Sequence, residues 1–184
     1  VGTSGEAPDR IRIVANVTEA QMVDIPDPSK VAVLTQTTLS VDDTREVIEV
    51  LKQRFPLMIT PAKDDICYAT QNRQDAVKQL AKEVDLVMVI GSRNSENSNQ
   101  LRKVAQGQGT RAYLIDDRSQ IDAQWLAGVA RVGITSGASV PDHLVQDAAA
   151  FFHRQGAEVE SLGFVEENIH FALPSEIHPQ MVNS

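Results

Sequence analysis

Short apolar runs rich in β-branched residues alternate with amphipathic helical segments along most of the chain, and this alternation constrains the fold more than any other feature. Leu86–Ile90 is apolar throughout, as expected for a strand covered on both faces. The segment before it has apolar residues at helical spacing, among them Val77, Leu80 and Val84. Strands that alternate with helices predict an α/β fold, with parallel sheets and helices on their faces.

The same alternation places the other elements. Further strands are predicted at Val31–Thr35, Ala112–Ile115 and Val129–Thr135, with weaker candidates at Arg10–Val14, Glu158–Leu162 and Ile169–Leu173. Helices are predicted after Ser40, around Leu101 and Val104, around Ile121, Trp125 and Leu126, and from Pro141. A boundary near Pro61–Asp64 divides the chain into a partial α/β unit (residues 1–62), a fuller unit (63–156) and a tail with short strands (157–184).

Charge and cysteine content exclude several functional classes. The net charge is −8 and no run of basic residues occurs, which argues against nucleic acid and anionic membranes as partners. No apolar stretch approaches the roughly 20 residues that span a bilayer. The single cysteine, Cys67, excludes an internal disulfide and fits a reducing compartment, so we expect a cytoplasmic protein.

Three polar turns follow predicted strands and open predicted helices. They are Thr35–Thr38, Gly91–Asn99 and Thr135–Ser139. In parallel α/β sheets ligands bind beyond the carboxyl ends of the strands, where helix N-termini offer free N–H groups and a partial positive charge. These turns therefore indicate an anion pocket. Ser, Thr and Asn are also the preferred helix caps. Capping is by a wide margin the better explanation for any one turn taken alone, and it is slightly favoured even for the three turns together.

Other reactive residues carry less information. Cys67 lies at a predicted helix start, which favours the thiolate form, although an inert cysteine is the commoner case. The four histidines have no metal-ligand spacing. The Asp42-Asp43 and Asp116-Asp117 pairs are interpreted as charges at helix starts.

Several motifs together resemble the 4-hydroxy-3-methylbut-2-enyl diphosphate reductases. The similar segments, in matching order and spacing, are Leu34–Thr44, Lys63–Thr70 with Asn72–Gln74, Gly91–Asn99, Gly137–Asp142 and Glu166–Ile169. The resemblance covers nearly the whole chain, is weakest over the first thirty residues, and is to the C-terminal part of the family's sequence.

This resemblance implies reductive removal of an allylic hydroxyl, which yields isopentenyl and dimethylallyl diphosphates. It also implies a trefoil of three α/β units around a 4Fe–4S cluster held by three cysteines, with an electron-donor protein as partner. Cys67 matches the last cluster ligand. Thr37, Ser95, Asn97 and Ser139 match residues that contact the isoprenoid diphosphate substrate, the latter three chiefly at its diphosphate.

Two departures from the family pattern affect these expectations. Glu96 stands where the family usually has a second serine, and a carboxylate that faces the pocket would repel diphosphate. The chain supplies one cysteine, whereas a cubane cluster needs three or four thiolates. No cluster and no reductase activity are therefore expected of the chain alone. The alternative is an α/β module that binds diphosphate or a partner protein without redox chemistry.

Overall fold

Three parallel strands form the sheet at the centre of the second unit. The computed structural model describes residue 5 and residues 7–60 and 68–163. The strands are β1 (Leu86–Ile90), β2 (Arg111–Ile115) and β3 (Val132–Ser136), in the order β2–β1–β3. Both neighbours pair with β1 in parallel over its whole length. The predicted α/β class with a parallel sheet is confirmed.

Helices account for most of the other regular structure in the described residues. The helix α1 (Val17–Met22) and the helix α2 (Val41–Arg54) belong to the first unit. The second unit contains α3 (Tyr68–Glu83), α4 (Glu96–Gly107) and α5 (Asp142–Arg154). As predicted, Ser40 caps α2, because its side chain accepts a hydrogen bond from the backbone N–H of Asp43. No helix in these described segments is long and apolar enough to cross a membrane.

The strand β1 lies between two apolar layers. Its alternate residues Val87 and Val89 pack against side chains of α3 and α4, such as Leu80 and Leu101. Leu86, Met88 and Ile90 face the other layer, which includes Ala148 of α5 together with Trp125 and Phe152. All five residues of β1 are buried. This burial on both faces is what an apolar run without alternation predicts.

The segment predicted as the first unit has a small core of its own. Ala20 of α1 packs with Leu51 of α2 and with Phe55, which follows α2. The partly buried residues around them all come from residues 14–58. The boundary predicted near Pro61–Asp64 lies outside the described residues, so the division of the chain remains a prediction.

Three predicted strands are wrong where the structure describes them. Arg10–Val14 and Glu158–Leu162 have no strand structure. Within Val31–Thr35 only Ala32 forms a bridge, in parallel with Ile59. The backbone N–H and C=O groups of a strand need hydrogen-bond partners on a neighbouring strand. Among the described residues, these segments have too few such partners. The candidate Ile169–Leu173 lies outside the described residues.

The helix predicted around Ile121, Trp125 and Leu126 is also wrong, because two short 3-10 helices occupy that segment. Asp117 and Asp122 each cap one of them, with side chains that accept from the backbone N–H groups of Ser119 and Gln124. Trp125 stacks on Tyr113 of β2, with ring centroids 4.0 Å apart. Local capping and this stacking therefore replace one continuous helix.

The side chain of Asp85, just before β1, forms hydrogen bonds with the segment just before β3. Its Oδ2 accepts hydrogen bonds from the backbone N–H groups of Ala130 and Arg131, each at 2.9 Å. These bonds hold the pKa of Asp85 below its ordinary value, and the bond from Arg131 has the larger effect. A depressed folded-state pKa means that the stabilisation is present at neutral pH and is lost as acid protonates the folded carboxylate.

We expect Asp85→Asn to lower the thermal midpoint by a few degrees at neutral pH, because an amide oxygen accepts these bonds more weakly than a carboxylate. The difference from wild type should begin to shrink below about pH 4, the ordinary pKa of an aspartate, and should vanish as the pH falls through the lower pKa of the folded Asp85. Thermal unfolding followed across this pH range tests the expectation. Asp9→Asn, which removes an exposed loop carboxylate, is the control. An equal deficit at acid and neutral pH would contradict the assigned role.

Candidate functional site

The turns that follow β1 and β3 lie side by side at the carboxyl edge of the sheet. Ile90 and Ser136, the last residues of the two strands, are paired in register. One residue later, the N–H of Gly137 donates to the carbonyl of Ile90 at 2.9 Å. Two of the three polar turns expected to form one pocket, those of Ser95 and Ser139, therefore lie at the same edge of the sheet. The shared pocket, which also includes the turn of Thr37, remains a prediction.

Ser98 of α4 is inserted between the two strand ends. It is only 1% exposed. A Cβ added at Gly91 would lie 2.2 Å from the Ser98 Oγ, and one added at Gly137 would lie 2.3 Å from it. Both glycines are therefore needed for α4 to approach the sheet edge this closely. The contact fixes the position of the α4 N-terminus relative to both turns.

The turn between β1 and α4 is held by its own hydrogen bonds. Ser95 is the N-cap of α4, and its Oγ accepts from the backbone N–H of Ser98 at 3.3 Å. The side-chain amide of Asn99 donates to the carbonyls of Arg93 and Ser95, at 2.7 and 3.0 Å. For Ser95, capping is thus an observed role, as the sequence left open.

The side-chain amide of Asn97 is buried at this edge of the sheet. Both its Oδ1 and its Nδ2 are buried, and neither has a hydrogen-bond partner among the residues that the structure describes. Leaving such groups unpaired costs free energy, so a buried amide of this kind indicates a missing ligand or contact. The neighbouring Glu96 is exposed to solvent.

Ser139 is exposed and does not cap the helix that follows it. The residue at the N-cap of α5 is Pro141, and no side chain makes a capping hydrogen bond there. The capping interpretation, which explained Ser95, therefore does not explain Ser139. Its hydroxyl is available to a ligand at the edge of the sheet.

Thr37 belongs to the first unit, and its turn is joined to α3 by polar contacts. Gln74 of α3 is fully buried. Its Nε2 donates to the carbonyl of Leu39 at 2.8 Å, and its Oε1 accepts from the N–H of Val41 at 3.0 Å. One helical turn later, the Lys78 Nζ lies 2.7 Å from a carboxylate oxygen of Asp42 at the start of α2. Thr37 itself is exposed.

Both positive and negative groups lie at the carboxyl edge of the sheet. The N-termini of α4 and α5 both follow strands that end there, and each offers a partial positive charge. Arg73 also reaches this edge, since its Nη1 donates to the carbonyl of Ser136 at 3.3 Å. Glu96 and Asp142, in the first turns of the two helices, oppose an anion. Neutral hydroxyl and amide donors must therefore supply much of any anion affinity.

A cavity of about 450 Å³ lies beyond the end of β2. It is lined by Asp117, Arg118, Ser119, Leu144 and Asp147. The side chain of Asp117 caps a 3-10 helix, as its predicted role at a helix start requires, and its hydrogen bonds with Ser119 lower its pKa. Two carboxylates in this lining disfavour a diphosphate, and none of the predicted substrate residues lines the cavity.

The predicted metal ligand lies outside the described residues. Cys67 directly precedes α3, and the structure describes the chain again from Tyr68 onward. Within the described segments, no three His, Cys, Asp or Glu side chains are grouped so that they could hold a metal ion. The sequence contains no second cysteine.

The predicted substrate residues did not include the two polar side chains that organise this region. Gln74 lies in a motif shared with the family, and Ser98 is one of three serines in and just after its turn. One signal in the sequence points to Ser98. It stands three residues after Ser95, on a helix that follows a strand and the glycine directly after that strand.

Comparison with known proteins gives a consistent result. A family model described as LytB protein matches residues 1–153. The 4-hydroxy-3-methylbut-2-enyl diphosphate reductase of Streptomyces coelicolor is 54% identical over 179 residues, which are 96% of this chain and 53% of that protein. The reductase of the same name from Acidothermus cellulolyticus is 53% identical over 183 residues, which are 98% of this chain and 54% of that protein.

A solved structure is similar over the same extent. The E-1-hydroxy-2-methyl-but-2-enyl-4-diphosphate reductase of Plasmodium falciparum superposes with a TM-score of 0.81 and 32% sequence identity. The match covers 95% of this chain and 56% of that one. The chain thus spans about half the length of the relatives that it matches.

Proposed function

The chain belongs to the LytB family, and we therefore propose that it forms the diphosphate-binding part of a 4-hydroxy-3-methylbut-2-enyl diphosphate reductase. The observation that carries the proposal is the buried amide of Asn97, which has no hydrogen-bond partner in the part of the chain that the structure describes. Asn97 is close in sequence to the capping Ser95, at the edge shared with the turn of Ser139. An amide and two hydroxyls can donate to phosphate oxygens at the N-termini of two helices. In this proposal Thr37, from the predicted first unit, also contacts the substrate.

The proposed reaction of the whole enzyme is reductive loss of the allylic hydroxyl of the substrate. It takes up two electrons and two protons, releases the hydroxyl as water, and gives isopentenyl and dimethylallyl diphosphates. A 4Fe–4S cluster, held in part by residues outside this chain, would pass on the electrons that an electron-donor protein supplies. In this proposal Cys67 is one of the three cysteine ligands of the cluster.

The residues of this chain do not fit a complete cluster. Three or four thiolates are needed, and the sequence offers only Cys67. We therefore assign no redox step to the chain by itself. Its own residues bind and orient the diphosphate, which positions the allylic end of the substrate for chemistry carried out elsewhere in the enzyme.

Binding of inorganic diphosphate tests the proposal directly. Calorimetry with the 184-residue chain should show one diphosphate bound per chain, and Ser139→Ala should weaken this binding by roughly tenfold, since one charge-assisted hydrogen bond is lost. The thermal midpoint should not change, because Ser139 caps no helix. Ser161→Ala, which removes another exposed serine hydroxyl, should leave the affinity unchanged. Absence of diphosphate binding to the wild-type chain would refute the proposal.

A further inference from the structure

Ser98 makes contacts that a helix residue does not need for capping. Its side chain is buried between Gly91 and Gly137, at the ends of two neighbouring strands. Its Oγ lies 3.1 Å from the Oγ of Ser95, in addition to the capping bond that its backbone N–H makes with the same atom. Two groups of Ser98 thus converge on the Ser95 hydroxyl oxygen.

Burial decides which of the two hydroxyls donates. If Ser95 donated to Ser98, the proton of Ser98 would need another acceptor inside the core, and the described contacts of Ser98 provide none. An unsatisfied buried donor is costly. Ser98 therefore donates, and the Ser95 oxygen accepts two hydrogen bonds, one from the N–H and one from the hydroxyl of Ser98.

This arrangement determines what Ser95 can offer a ligand. A serine hydroxyl has one proton and two acceptor positions. With both acceptor positions occupied by Ser98, Ser95 has only its proton left, and Ser95 is half-buried rather than enclosed. A group limited to donation suits a ligand that only accepts, such as an ionised phosphate oxygen.

We infer that Ser98 is a positioning residue, which acts through Ser95 and commits the Ser95 proton to the anion bound at this edge. The inference rests on the proposed diphosphate site and extends it to a residue that does not touch the ligand. Loss of the Ser98 hydroxyl frees an acceptor position on Ser95. The Ser95 hydroxyl can then rotate among several partners, and the bond to diphosphate is no longer preorganised.

A double-mutant cycle measures this dependence. The dissociation constant of inorganic diphosphate is determined by calorimetry for wild type, Ser98→Ala, Ser95→Ala and the double variant. We expect Ser98→Ala to weaken binding about three- to tenfold and Ser95→Ala about tenfold or more. The double variant should bind as weakly as Ser95→Ala alone, because a residue that acts through Ser95 has no effect in its absence. Ser161→Ala, which removes an exposed hydroxyl outside this turn, is the control and should change the constant less than twofold.

The outcomes separate the inference from the proposed function. If wild type binds no diphosphate, both fail. If wild type binds and the losses of the two single variants simply add, or if Ser98→Ala binds like wild type, only the inference fails. A purely structural role of Ser98 predicts that its effect persists in the Ser95→Ala background. Should Ser98→Ala not fold, Ser98→Gly also lacks the hydroxyl and must show the same loss and the same dependence on Ser95.

Discussion

Gly137→Ala is expected to lower the thermal midpoint by about 2–12 °C, and adding Ser98→Ala should restore most of the loss. The new Cβ would lie 2.3 Å from the Ser98 Oγ but 3.5 Å from its Cβ, which is an ordinary contact. Only one hydroxyl is in conflict, and removing it relieves the overlap. Overpacking of this kind costs about 1–3 kcal/mol, and each kcal/mol shifts the midpoint of a chain of this size by about 2–4 °C.

The neighbouring glycine provides the contrast. At Gly91 an added Cβ would lie 2.2 Å from the Ser98 Oγ and 2.7 Å from its Cβ. Gly91→Ala should therefore be destabilising in both backgrounds, because Ser98→Ala leaves the Cβ in place. Gly107→Ala is the control, since an added Cβ there has no neighbour within 4 Å. Equal rescue of both glycine variants by Ser98→Ala would contradict the described packing.

Gln74→Leu is expected to have the second large effect, on the connection between the two units. Leucine fills a similar volume but leaves the carbonyl of Leu39 and the N–H of Val41 without their partner. A partly buried backbone group that loses its hydrogen bond costs about 1–3 kcal/mol. Among the residues that the structure describes, the core around Leu51 contains none from α3. Polar contacts of Gln74 and Lys78 therefore carry much of the link between α3 and the start of α2.

Two measurements check this expectation. The thermal midpoint should fall, and the amide proton of Val41 should exchange faster with solvent, because its acceptor is gone. Gln74→Glu should also weaken the link, since an ionised carboxylate accepts from Val41 but cannot donate to Leu39. Gln79→Leu, at an exposed position of the same helix, is the control. An unchanged exchange rate at Val41 in Gln74→Leu would show that the glutamine does not hold the turn.

Elements with strong local signals were predicted correctly. The continuous apolar run of β1, the capping Ser40 before α2 and the periodic stripe of α3 each contain enough information within a short window. The local sequence around Trp125 does not contain enough information to predict its structure. Its apolar residues at helical spacing predicted one helix, whereas two aspartate caps and stacking on Tyr113 produce two short 3-10 helices. Stacking on a residue of another strand is invisible in local spacing.

The sequence by itself determined the fold class, the carboxyl edge as the place for polar turns, and the resemblance that led to the family. These follow from hydrophobic periodicity and from residue types at fixed spacing, which are local properties of the chain. Only the tertiary structure decided that Ser95 caps a helix and Ser139 does not, and that Asn97 is buried without a partner in the described residues. It also decided that Gln74 and Ser98 organise the region, because a polar side chain acquires such a role from the backbone groups that folding brings against it.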